Sequence, residues 1–264
     1  MEVEEIIQRT INSPSVIVPD NAELIGGTRE SFVQVGCDVF RSLVLAGGLK
    51  ATDRVLEIGS GLGRVAYPLT LYIKAPGSYT GLEIMQDAVA FCDAKVAPLS
   101  PLFSFKHINY YNEFYNPKGH LKLRDADPGF DASGFDFVFM SSVLTHLVYD
   151  DLTFYMSRSS RWLRKGGRLW ATAFLIDQAT QNALSLAATQ PETPAGTLNF
   201  DLAADGPDYF LPGGRSTAAV AYHLPTLEKV AGENGFKVIG THLGQWSGVK
   251  RAGGYQDLMV LEKV

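Results

Sequence analysis

The sequence predicts a doubly wound α/β fold on a mostly parallel seven-stranded sheet. Three observations carry this: β-rich runs alternate with helical stretches from Asp53 onward, a glycine-rich turn closes the first run, and an acidic residue ends the second. Before the alternation, residues 1–52 read as an N-terminal helical cap, with a helical pattern over 28–46 that Gly47-Gly48 stops. Val55-Leu56-Glu57-Ile58 is the first strand, closed by Gly59-Ser60-Gly61-Leu62-Gly63. A helix then runs to about residue 74, where Ala75-Pro76-Gly77 ends it. Residues 79–84 form the second strand, 86–97 a helix stopped by Pro98, and 103–108 the third strand. The segment 109–134 is too rich in Asn, Pro, Gly and Asp to be regular.

The apolar run 135–140 is the fourth strand, and a helical region broken near Tyr149 follows to residue 163. Lys165-Gly166-Gly167 turns the chain into a fifth strand over 168–175. Residues 177–222 form an insertion after it, long enough to predict a lid or wall of a binding site, with 206–214 the stretch to shorten. A helix over 224–234 starts at His223-Leu224-Pro225 and stops at Gly235, and 236–239 and 257–261 supply the last strands. The expected organisation is a cap, 1–52, and one domain, 53–264, carrying the insertion.

Composition narrows the function classes. Hydrophobic residues at 46% and charged residues at 19% supply a large core. No apolar run reaches the roughly 18 residues of a membrane span. Met1-Glu2-Val3-Glu4-Glu5 is acidic where a secretory leader is basic, so a cytoplasmic location and no membrane partner are expected. Cys37 and Cys92 lack metal-ligand spacing and read as buried free thiols, so no metal is expected. The net charge of −5 argues against a nucleic-acid substrate, because phosphate binding needs a basic face. The basic cluster Arg158, Arg161, Arg164, Lys165 and Arg168 reads as a solvated helix face and the turn after it.

The cofactor site is read from the first strand and its turn. Gly59, Gly61 and Gly63 let backbone approach a ligand where a Cβ would collide. The pattern is G-x-G-x-G, with Arg64 where a pyrophosphate loop places its third glycine. Glu83, about 20 residues further on, stands where a carboxylate accepts both hydroxyls of a ribose.

Val55-Leu56-Glu57-Ile58-Gly59-Ser60-Gly61-Leu62-Gly63-Arg64 resembles the first motif of the class I S-adenosylmethionine-dependent methyltransferases. Gly81-Leu82-Glu83-Ile84 resembles their second-strand motif. The segment from Phe135 through Met140-Ser141-Ser142-Val143-Leu144-Thr145-His146-Leu147 resembles the fourth-strand motif of the family's small-molecule branch, which implies a small-molecule acceptor, and Leu163-Arg164-Lys165-Gly166-Gly167-Arg168-Leu169 resembles the start of the fifth strand. The resemblance implies a Rossmann-like methyltransferase fold with its last strand antiparallel, and S-adenosylmethionine as cofactor. It implies that Glu57 lies near the methionine amino group, that the glycines pass under the methionyl and ribose parts, and that Glu83 takes the ribose diol. Asn109 is implied at the adenine amino group, and Tyr110 is a candidate cover for the adenine. Ser60, Ile84 and Ser141 complete the expected cofactor contacts.

Methyl transfer from a sulfonium is an in-line displacement that needs positioning in a dry pocket, and a base only for a protonated acceptor. His146, just after the fourth strand, is the candidate general base, against a reading as a pocket-lining histidine. Tyr149, Tyr222 and His223 are candidate substrate contacts. Two other classes are weighed: a nucleotide-dependent oxidoreductase, opposed by Arg64, and a non-catalytic S-adenosylmethionine-binding module, which the same motifs would also serve.

Overall fold

A computed structural model of the chain describes residues 2–19, 28–125, 127–187, 198, 200 and 219–264. The chain divides into two units, Met1–Phe139 and Met140–Val264.

In the first unit, α1 (Val3–Ile11) and α2 (Arg29–Leu45) pack on each other and on α3 (Ala66–Tyr72). Thr28 starts α2 by accepting from the Ser31 N–H, leaving fewer orphan donors at that end. Arg41 holds Glu4 with two nitrogens, at 2.8 and 3.0 Å, which ties the two N-terminal helices together. Tyr67 both donates to and accepts from the backbone of Ile17, and its ring meets Phe32 edge-on. Gly36 of α2 abuts the Arg64 carbonyl, where a Cβ would stand at 2.2 Å. The segment read as a cap thus presses directly on the turn after the first strand.

Four strands follow: β1 (Arg54–Ile58), β2 (Ser78–Glu83), β3 (Phe103–His107) and β4 (Phe135–Met140). Their order is β3-β2-β1-β4 and every pairing is parallel. Glu57 stands opposite Gly81 on one side and Phe139 on the other, and Glu83 stands opposite His107. β1 and β4 are buried along almost their whole length, which is why their sequences are near-continuous apolar runs. Arg54 grips Asp136 with its backbone N–H and its guanidinium, both at 2.9 Å, locking those two strands at their beginnings. The chain steps outward from β1 through β2 to β3 and then crosses back to β4 on the other side of β1. The carboxyl end of β1 is therefore the point where strand order reverses, the position at which such sheets bind ligands. α4 (Gln86–Lys95) begins three residues after Glu83.

The second unit starts with a 3-10 turn, Leu144–His146, and α5 (Tyr149–Trp162). β5 (Leu163–Ile176) begins earlier than predicted, because Lys165-Gly166-Gly167 continues the strand with Gly166 at φ +70° instead of ending it. α6 (Gln178–Ala187), β6 (Ala221–His223), α7 (Leu224–Glu233), β7 (Phe236–His242) and β8 (Asp257–Lys263) follow. β8 lies between β5 and β7 and is antiparallel to both, as the resemblance implied. The fold class is the expected mixed, Rossmann-like α/β class, with one correction to the strand count. β6 is an eighth strand, parallel to β5, formed where Ala221 and Tyr222 bury against a strand longer than the sequence suggested. Within the predicted insertion, α6 and β6 are described, whereas the 206–214 stretch lies outside the described residues.

Candidate functional site

The turn after β1 is held almost entirely by its own unit. The N–H groups of Gly59 and Ser60 donate to the Leu82 carbonyl, at 2.8 and 3.2 Å, and that of Gly63 donates to Ser60. The Gly61 N–H donates to the Glu83 carboxylate at 2.7 Å. Gly59, Gly61 and Gly63 all have positive φ, +76°, +51° and +75°, conformations costly for other residues. Two of the glycines also differ in what surrounds them. A Cβ at Gly63 would press on Val96 and Cys92 at 3.0 and 3.1 Å, whereas one at Gly61 would meet nothing within 4 Å. Gly61 therefore faces open space.

Glu83 is 4% exposed and accepts three backbone N–H groups, from Gly61, Ile84 and Met85, at 2.7, 2.7 and 2.9 Å. A strand-end glutamate is ordinarily solvated; this one is buried. Burial pushes its carboxyl up, and the three donors hold it back. Two oxygens offer about four acceptor sites, so room is left for a ligand hydroxyl. Glu57, 2% exposed, accepts a short hydrogen bond from the buried Tyr79 hydroxyl. Burial raises its pKa to about 8, opposed by the Tyr79 bond and by the charge of Arg64. Tyr79 itself is raised by burial and by the Glu57 charge.

A cavity of about 820 Å³ opens within this unit, lined among others by Leu62, Met85, Phe91, His107, Asn109 and Tyr115. Asn109 accepts on its Oδ1 from Asn116 Nδ2 at 3.1 Å, and the Asn116 amide also donates to the Tyr110 carbonyl. The loop that looked irregular is thus folded back on itself, with Tyr110 and Leu121 bridged through their backbones. Tyr110 is buried and is not among the lining residues. Ile84 is half-buried, and its carbonyl accepts from His107 Nε2 at 3.0 Å.

Other predicted residues belong to the second unit. Ser141 is half-buried, and its neighbour Ser142, at φ +60°, donates to Thr172 Oγ1 through its N–H and to Gln256 through its hydroxyl. His146 ends the 3-10 turn and is half-buried. Tyr149 is half-buried at the start of α5, and His223 is half-buried in front of α7. Tyr222 is wholly buried and its hydroxyl donates to the Leu147 carbonyl, which spends its polar end on the turn carrying His146.

Sequence reasoning missed Tyr79, Arg64 as a neighbour of Glu57, and His107. For Tyr79 a signal existed: Tyr79, Gly81 and Glu83 share one face of a strand. For His107 the signal was weaker, a polar residue ending the third strand at the level where Glu83 ends the second. Among the described residues no group of three metal-ligating side chains occurs. No helix among them is long and apolar enough to cross a membrane.

Comparison with known proteins agrees with this geometry. Residues 56–169 match the family model of a methyltransferase domain. Arsenite methyltransferase of Aquipseudomonas alcaligenes is 26% identical over 149 residues, which are 56% of this chain and 39% of that protein. The match thus spans about two-fifths of the length of that curated relative. An S-adenosylmethionine-dependent methyltransferase of Methanosarcina mazei superposes with a TM-score of 0.52 at 18% identity, covering 84% of this chain and 97% of its own. Magnesium protoporphyrin IX methyltransferase of Synechocystis PCC 6803, crystallised with S-adenosylhomocysteine, gives 0.54 at 16% identity, covering 99% and 94%. At such identities the two structures speak for the fold.

Proposed function

We propose that this chain, whose residues 56–169 match the family model of a methyltransferase domain, is a class I S-adenosylmethionine-dependent methyltransferase that transfers a methyl group to a small-molecule acceptor. The observation that carries the reading is where the loop amides go. Gly59, Ser60, Gly61 and Gly63 spend their N–H groups on Leu82, Glu83 and Ser60. A pyrophosphate loop must keep such donors for phosphate oxygens, and a buried carboxylate beside it would repel them. A dinucleotide oxidoreductase is thereby disfavoured, while an uncharged ribose diol and a cationic ligand suit the site. The residues fit the cofactor in two further respects. Gly61 leaves a cradle that a Cβ would fill, and among the described residues the buried Ser60 hydroxyl has no hydrogen-bond partner.

When bound, S-adenosylmethionine supplies an electrophilic methyl group on a sulfonium. This chain's residues hold and orient it: Glu83 would accept the ribose hydroxyls, Glu57 would face the amino group, and Asn109 would meet the adenine. Gly59, Ser60, Gly61, Gly63, Ile84, Tyr110 and Ser141 remain proposed cofactor contacts. The acceptor is proposed to be a small molecule, because the chain carries a net charge of −5 and no long basic run. Tyr149 and His223 are proposed to contact it, with residues 177–222 as a wall; Tyr222 would act only by holding the turn. His146 is proposed as the general base that takes a proton from a hydroxyl or ammonium acceptor. The proposed location is the cytoplasm.

Isothermal titration tests the cofactor. S-adenosylhomocysteine should bind and NAD should give no heat, and the reverse result would overturn the reading. With an acceptor in hand, His146→Asn should lower turnover by about 10²- to 10⁴-fold and remove the acidic limb of the pH–rate profile. Near-normal turnover with an unchanged profile would leave His146 as a pocket wall. S-adenosylhomocysteine binding without transfer to any of a broad acceptor set would favour a binding module instead.

A further inference from the structure

His107 lines the cavity, and its imidazole holds the backbone that leads out of β2. Its Nε2 stands 3.0 Å from the Ile84 carbonyl. A carbonyl can only accept, so this nitrogen carries a hydrogen. Residue Ile84 is consequently held through both of its backbone groups: its N–H donates to Glu83 at 2.7 Å and its C=O accepts from His107. The next N–H, on Met85, is also held by Glu83, at 2.9 Å. Two side chains from adjacent strands, opposite each other in register, therefore fix the two peptides that lead from β2 into α4. Met85 and His107 both line the 820 Å³ cavity, and Asn109 lines it two residues after His107.

We propose that His107 is a positioning residue for cofactor affinity, which clamps the Ile84 carbonyl so that Glu83, Ile84 and Met85 present a preformed nucleoside-binding edge. The inference rests on the proposed reading that Glu83 takes the ribose hydroxyls and that Asn109, which lines this cavity, meets the adenine. The physical reason is preorganisation. Before α4 begins, the turn after Glu83 is held through its backbone by the Glu83 and His107 side chains, and Met85 in front of α4 makes no side-chain cap. Without the imidazole, the Ile84 carbonyl would lose its side-chain partner and the peptide could rotate. Glu83 would then follow, because one of its oxygens is shared between the Ile84 and Met85 N–H groups. Binding would have to re-order that edge, and ordering costs appear as lost affinity. His107 touches no reacting atom in this account, so the chemical step is spared.

The test compares two variants. His107→Gln keeps an N–H donor at nearly the reach of Nε2, and His107→Leu removes it. Titration with S-adenosylhomocysteine and with adenosine should show His107→Leu weakened about tenfold for both ligands. His107→Gln should stay within about threefold of the parent. In a cycle with Glu83→Ala, the double variant should lose less than the product of the single losses, since both act through one peptide. Circular dichroism fixes a temperature at which every variant is folded, so the affinities are compared between native proteins. Unchanged affinity in His107→Leu would overturn the proposal. Equal weakening in both variants would overturn it too, because the loss would then come from the ring's packing and not from its hydrogen bond. If the parent itself binds neither ligand, it is the cofactor reading that fails, which is a different result.

Discussion

Glu57 shows how one buried group can report on ligand chemistry. Its folded-state pKa, about 8 against 4.5 for the free group, means that the folded chain binds this proton more tightly than the unfolded one. Stability from this group is therefore greatest below about 4.5 and declines as pH rises through the window to about 8. A ligand ammonium brought beside Glu57 favours its charged form and expels the proton. Binding of S-adenosylhomocysteine at pH 7 should accordingly release a proton, making the calorimetric enthalpy differ between phosphate and Tris buffers. Glu57→Gln should abolish that difference. Equal enthalpies in the two buffers for the parent chain would mean that no cation meets Glu57. Glu83 is a different case although it is also buried, because three backbone donors support its charge.

At the scale of elements, two glycines separate folding from binding. Gly61 sits at φ +51° with open space in front of it, so Gly61→Ala should cost only the left-handed strain, about 1–2 kcal/mol. Its new methyl would project into the cradle, and cofactor affinity should fall by more than the stability loss alone explains. Gly81, in the middle of β2, is the opposite. A Cβ there would stand 2.6 Å from the Phe105 ring and 2.9 Å from the Ser60 Cβ. Gly81→Ala should destabilise the fold by about 1–3 kcal/mol through overpacking. Urea denaturation paired with titration of each variant checks both; a Gly61→Ala protein that binds normally would show that the cradle is not used. The second unit has its own polar anchor. Asp257, wholly buried at the start of β8, accepts from the N–H groups of Leu175 and Gly244 and from the Trp246 indole, at 2.5, 2.6 and 2.6 Å. It pins β5 and the loop before β8 together, while Arg251 holds Asp177, where the insertion begins.

For the whole molecule, a ligand that binds only the folded chain stabilises it by mass action. At one hundred times its dissociation constant, S-adenosylhomocysteine should add about 2.7 kcal/mol. In a chain of this size that is a rise of roughly 5–10 °C in melting temperature, growing with ligand concentration. NAD at the same concentration should leave the transition where it was. Thermal denaturation followed by circular dichroism reads both, and a shift with NAD alone would contradict the site as described. What the sequence determined by itself was the succession of seven strands along the chain, the glycine turn and the acidic residues beside it, because strand alternation, turn glycines and motif spacing are encoded locally. The antiparallel last strand was legible only through resemblance. β6 was not legible at all, since three residues are too few to show a period, and its pairing with β5 joins segments far apart in the chain. Nor did the sequence tell that Tyr79 bonds Glu57, that Leu82 and Glu83 consume the loop amides, or that His107 holds Ile84. Those depend on which strands lie side by side and in what register. Register is set by burying whole faces at once, so only the tertiary structure could decide them.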